Sequence, residues 1–114
     1  MTNKDKSYMY MVCDHLGITT EDYKLFRRRG ATLHRLYEEQ CNGYRDHQGN
    51  WSEELTNKSE AKEDRITKLI QKQAKELDLN VYLQTDPRGA TVYLSKYKIL
   101  DASNYNSLSS YCIY

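Results

Sequence analysis

The stretch from Asn80 to Tyr97, NVYLQTDPRGATVYLSKY, constrains the fold more than any other. Val81, Leu83 and Thr85 alternate with Tyr82 and Gln84. Ala90, Val92 and Leu94 alternate with Thr91 and Tyr93. Such alternation marks half-buried strands. Between the runs lies Asp86-Pro87-Arg88-Gly89. Asp suits the first position of a type I turn, Pro presets φ at the second, and Gly accepts the left-handed conformation that follows. A β-hairpin is expected here.

Side chains also argue the register. A three-residue loop would pair Asp86 with Ala90 and set Leu83 opposite Tyr93, mixing both faces. A four-residue loop, Asp86 to Gly89, pairs Thr85 with Ala90, Leu83 with Val92 and Val81 with Leu94. One face is then wholly apolar, and the other carries Tyr82 opposite Tyr93 and Gln84 opposite Thr91. A slip of one residue destroys that division, so the four-residue loop is expected. A lone hairpin is marginal in water, so its apolar face needs a cover.

The preceding residues supply the cover. Residues 1–6 are polar and read as a disordered end. Ser7 caps a helix from Tyr8 to Leu16, with Met9, Val12 and Leu16 on one side and Gly17 as its stop. Thr19 or Thr20 caps a longer helix, with Glu21 and Asp22 in its first turn. Phe26, Gly30, Leu33, Tyr37 and Cys41 form its apolar face, widened by Tyr23 and Leu36. Asn42-Gly43 ends it.

After a polar connection, Tyr44 to Trp51, Ser52 caps a third helix. Ile66, Leu69, Ile70, Gln73, Ala74 and Leu77 give its second half an inner face. Its first half, Leu55 to Asp64, is nearly all polar, so it either projects as a solvated helix or begins later. Past the hairpin, Tyr97 to Leu100 reads as a short strand, Asp101 to Ser110 as turns and Tyr111 to Tyr114 as a terminal edge strand. The expected fold is α+β, with two to three helices packed on one face of a small antiparallel sheet, in a single domain spanning 1–114.

Composition narrows the function. Net charge is +1, which excludes an acidic DNA mimic and a highly basic packaging protein. Aliphatic residues are few and tyrosines number 11, so tyrosine must fill part of the core. Three cysteines, Cys13, Cys41 and Cys112, at unrelated spacings fit a reduced cytoplasmic protein. No apolar run is long enough for a membrane span or signal peptide. Cys13 with His15, and His34 with Cys41, are the nearest approach to a metal pair, and zinc needs four convergent ligands. His47 has no evident catalytic partner. No phosphate loop, nucleophile elbow or metal-carboxylate motif occurs. Neither enzyme activity nor a cofactor is expected.

Leu33-His34-Arg35-Leu36 with Cys41-Asn42-Gly43, then Gln84-Thr85-Asp86-Pro87-Arg88-Gly89 with Val92-Tyr93-Leu94, resemble a group of small proteins of tailed bacteriophages and prophages. Ser103-Asn104-Tyr105-Asn106 is similar to the end of those proteins. The likeness covers residues 26–114, and the Asp-Pro-Arg-Gly hairpin is its most specific part. That family has no established activity, so the resemblance implies no catalytic residue. It implies a phage or prophage accessory protein working in a bacterial cytoplasm.

Two surfaces compete as the site. Arg88 projects from the hairpin tip, and Tyr82 and Tyr93 share the non-core face. Together they make a candidate protein-binding patch or base-stacking platform. Asp86, Pro87 and Gly89 need no ligand to explain them. The opposing possibility is that Tyr105, Tyr111 or Tyr114 folds over the tyrosine pair and buries it. The second surface is a basic helix whose candidates for nucleic acid are Lys24, Arg27, Arg28 and Arg35, beside Arg29. A solvated face neutralised by Glu53, Glu54, Glu60, Glu63 and Asp64 is the blander reading. The reading carried forward is a non-enzymatic interaction protein that binds a bacterial host or phage protein. Its most concrete form, an anti-CRISPR-like inhibitor of a bacterial defence system, follows from the resemblance and the chain's size. The alternative is a small nucleic-acid-binding accessory protein.

Overall fold

The computed structural model describes residues 2–43, 52–86, 89–98 and 110–114. Three helices, α1 (Asn3–Leu16), α2 (Thr20–Asn42) and α3 (Glu53–Glu76), precede three strands, β1 (Asn80–Asp86), β2 (Gly89–Ser95) and β3 (Ser110–Cys112). The fold is α+β, as expected, with the helices on one face of an antiparallel sheet of order β1-β2-β3.

Each helix begins at a side chain that satisfies its first amides. Thr2 Oγ1 accepts from the Asp5 amide at 3.2 Å, and the Asp5 carboxylate accepts back from the Thr2 amide at 3.3 Å. This reciprocal box starts α1 at Asn3, ahead of the Ser7 cap read from the sequence. Asn3 to Lys6 are therefore helical, where the sequence reading had a disordered end. Thr19 and Asp22 form the same box at α2, with the Asp22 amide donating to Thr19 Oγ1 at 3.1 Å. Gly17, with φ of 68°, turns the chain out of α1.

Ser52 Oγ accepts from the Leu55 amide at 3.3 Å, and α3 runs unbroken from there. At 1.5 Å per residue it is about 36 Å long. Its polar first half neither starts late nor projects. It lies along the second half of α2, where buried Ser59 donates to the Leu36 carbonyl at 3.3 Å. Gln40 Nε2 also donates to Glu63 at 2.6 Å. Small and polar side chains permit this close approach. Farther along, Ile70, Gln73 and Ala74 are buried, whereas Leu69, expected inside, is 37% exposed. It sits at the edge of the inner face and lines an open cleft shared with Leu25 and Arg29 of α2.

The hairpin adopts the expected register. Val81 pairs with Leu94, Tyr82 with Tyr93, Leu83 with Val92, Gln84 with Thr91 and Thr85 with Ala90. The ladder extends one pair further, Asp86 with Gly89. Gly89 has positive φ, 151°, rather than the left-handed helical value anticipated for the turn. A Cβ there would also lie 2.5 Å from His34 Nδ1, so the position excludes a side chain twice over. Ala90, Val92 and Leu94 are buried against the helices, and Val81 and Leu83 are half-buried beside them.

The terminal residues form an edge strand on β2. Tyr93 pairs with Cys112, Leu94 with Tyr111 and Ser95 with Ser110. Next, the Ile113 amide donates to the Val92 carbonyl at 2.9 Å, and the Val92 amide donates to the Tyr114 carbonyl at 3.2 Å. Two residues thus face one, which is a β-bulge. The bulge re-aims Tyr114 onto α2 at Gly30, where a Cβ would come within 2.6 Å of the tyrosine Cβ. Gly30 is therefore a seat for Tyr114, not merely a gap in the apolar stripe. Tyr97 is exposed and outside any strand, unlike the short strand read there. The rest of that stretch and the turns of 101–109 lie outside the described residues.

Leu94 has no exposed surface, so Leu94→Ala is expected to lower the unfolding free energy by about 2–5 kcal/mol. Half-buried Leu83 is expected to cost less, and urea denaturation measures both. Gly30→Ala is expected to destabilise the chain and to do so much less in a Tyr114→Gly background, which removes the Cβ it would meet. Equal costs in both backgrounds would contradict the seat.

Candidate functional site

The register that buries Val92 and Leu94 turns Tyr82 and Tyr93 to the opposite face. Their ring centroids are 6.1 Å apart at an interplanar angle of 39°, a tilted cross-strand pair. Both are half-buried, as are neighbouring Gln84 and Thr91. Cys112, opposite Tyr93 on β3, joins this face. Sequence reasoning missed it as a neighbour because only the register of the terminal strand reveals it. Tyr111 and Tyr114 do not lie over the pair. Both pack on the helix side, Tyr111 with its ring 5.6 Å from that of His15 and Tyr114 with its ring 6.1 Å from that of His34. Arg88, Pro87 and Tyr105 lie outside the described residues.

The basic cluster of α2 divides. Lys24, Arg28 and Arg35 are exposed and share the face away from the core. Arg27 is half-buried. Arg29 crosses to α3, where Nη1 donates to the Leu69 carbonyl at 3.1 Å and to Gln73 Oε1 at 2.7 Å. A guanidinium carries only donors, so it fixes the orientation of the Gln73 amide. Beside it opens a cleft of about 250 Å³ lined by Asp22, Leu25, Arg29, Leu69, Lys72, Gln73 and Glu76. Among the described residues, the acidic start of α3 forms no ion pair with Lys24, Arg28 or Arg35. Its described contacts run instead to Gln40 and, within α3, from Glu54 to Lys58 at 3.3 Å.

The histidines and thiols have structural partners. His34 Nε2 lies 3.1 Å from Glu38, and its ring packs against Gly89 and Tyr114. Cys13 is buried, with its thiol directed at the Thr19 carbonyl at 3.6 Å. Cys112 Sγ reaches the Tyr114 carbonyl at 3.3 Å, and Tyr8 donates to the Cys112 carbonyl at 3.0 Å. Burial pushes the thiols of Cys13 and Cys112 and the hydroxyls of Tyr8 and Tyr23 above their ordinary ranges. Among the described residues, no three His, Cys, Asp or Glu side chains converge as metal ligands. The side chain of Cys41 and all of His47 lie outside them. No described helix is long and apolar enough to cross a membrane. No protein-family model, curated protein or solved structure matches this chain.

Two outcomes follow from these contacts. Arg29→Ala is expected to lower the melting temperature, while Arg28→Ala leaves it nearly unchanged; equal effects would contradict the assignment of Arg29 to the α2–α3 contact. The folded thiols and tyrosines bind their protons more tightly than in the unfolded chain. Their contribution is therefore full below the ordinary thiol value of 9.0 and is lost as pH rises through the raised folded values. The melting temperature is expected to fall above that pH, and a rise there would contradict the burial.

Proposed function

We propose that this chain is a non-enzymatic interaction protein that binds a protein partner through the outer face of its hairpin. The reading is supported by the Tyr82–Tyr93 pair, held across two strands on the face away from the helices. Tyrosines carry much of the binding energy at interfaces. A pair fixed by a ladder also loses little entropy on docking. The turn sequence makes Arg88 a candidate for the same patch. The resemblance to phage and prophage proteins supports a bacterial host or phage protein as partner, met in the bacterial cytoplasm. With the chain's small size, it also supports inhibition of a defence system, in the manner of an anti-CRISPR protein.

A second reading is nucleic-acid binding by α2, supported by the exposed Lys24, Arg28 and Arg35. Affinity capture from bacterial lysate, with identification of the bound protein, separates the two. Wild type is expected to retain one protein in stoichiometric amount. Tyr82→Ala is expected to lose it with the melting temperature unchanged, and Arg28→Glu to keep it. If Tyr82→Ala instead lowers the melting temperature as far as Leu94→Ala does, the pair is structural and the proposal fails.

A further inference from the structure

The outer side of α3 carries a stripe that a reading along the chain does not reveal. Lys58, Lys62, Arg65, Lys68, Lys72 and Lys75 recur at intervals of three and four, which sets them on one side of a helix. All six are exposed, and the stripe faces away from the buried Ser59, Ile70 and Ala74. From Lys58 to Lys75 it runs about 26 Å. Only Glu54 and Glu76 share it. The other acids of α3 fall on its flank or inner side, so a count along the chain hides the segregation.

Most of these cations are unengaged. Glu54 pairs with Lys58, and among the described residues Lys62, Arg65, Lys68, Lys72 and Lys75 form no ion pair. Asp64 stands one turn before Lys68 in the favourable order, yet the two do not pair. Mutual repulsion along such a row disfavours the free state, and a polyanion relieves it. Ala61 stands in the stripe at a shallow hollow of about 460 Å³ that Arg65, Lys68 and Lys72 line together with Leu69 and one carboxylate, Asp64. A small side chain there lets a phosphate come close between longer cationic arms.

We propose that this stripe of α3 binds the phosphate backbone of a nucleic-acid duplex without reading its sequence. A straight row of that length matches on the order of eight base pairs at 3.4 Å each. A regular anionic rod fits evenly spaced cations better than the irregular charges of a folded protein surface. A membrane fits worse, because an interfacial helix needs a broad apolar side and this one exposes only Ala61 and Leu69. The surface is separate from the hairpin face, so this inference does not rest on a protein partner.

Fluorescence anisotropy of a labelled DNA duplex of about 20 base pairs, titrated with the intact protein between about 50 and 200 mM salt, tests it. A matching RNA duplex and phosphatidylserine-containing vesicles form parallel arms. Binding is expected to weaken steeply with salt. The Arg65→Gln, Lys68→Gln, Lys72→Gln variant should reduce the slope of log K against log salt by roughly 0.9 for each phosphate it no longer neutralises. Lys24→Gln, Arg28→Gln, Arg35→Gln, which tests the α2 reading separately, should reduce that slope less than the α3 variant does. Melting curves confirm that both variants fold, as expected for exposed positions. Binding to either duplex supports the shared phosphate chemistry. No duplex binding at low salt, binding to vesicles alone, or a slope altered only by the α2 variant would overturn the proposal.

Discussion

The packing of β2 on α2 is the contact on which the other elements depend. Val92 and Leu94 on the strand, and Phe26 and Leu33 on the helix, are at most 1% exposed. Burying a side chain of this kind stabilises by about 1.5–3 kcal/mol relative to leaving it in water. β2 is also the central strand, so β1 and β3 are placed by it. Two glycines make the close approach possible. Gly30 leaves room on α2 for Tyr114, and Gly89 leaves room on β2 for the ring of His34. The terminal strand, the hairpin and the long helix are locked together at these two points.

That contact also decides which surfaces remain for function. A sheet with one face on helices must present its alternate side chains to the other side, and here these include Tyr82 and Tyr93. α2 and α3 have inner sides committed to the core and to each other, so their charges gather on their outer sides. The aromatic pair and the cationic stripe therefore belong to opposite layers of the fold. A protein partner on one and a polyanion on the other need not compete.

The hairpin register was legible because a period of two allows one slip to be judged against another. Thr85 through Val81 found their partners from polarity alone. The cap at Ser52 was equally plain, whereas the choice between Thr19 and Thr20 at α2 is decided by the Thr19–Asp22 box. At α1, apolar positions alone point to Ser7 as the cap, whereas the Thr2–Asp5 box extends the helix into polar sequence. The polar half of α3 was ambiguous because Ser59 and Gln40 make a helix contact without an apolar stripe. Arg29 looked like one more surface cation, since its partners Leu69 and Gln73 lie far along the chain. The α3 stripe is hidden for a related reason: it shows only when charges are counted around the helix instead of along the sequence. Nothing local announces the Tyr114 bulge, which depends on where β2 and α2 already lie.

Native-state amide hydrogen exchange tests most directly whether β2 on α2 is the stabilising centre. The amides of Val92 and the α2 turn around Leu33 should exchange only through global unfolding, at the full free energy measured by denaturant. The first turn of α1 and the polar half of α3 should open at lower free energies. If α3 retains its amides after those of β2 have exchanged, the dependence runs the other way and the account is contradicted.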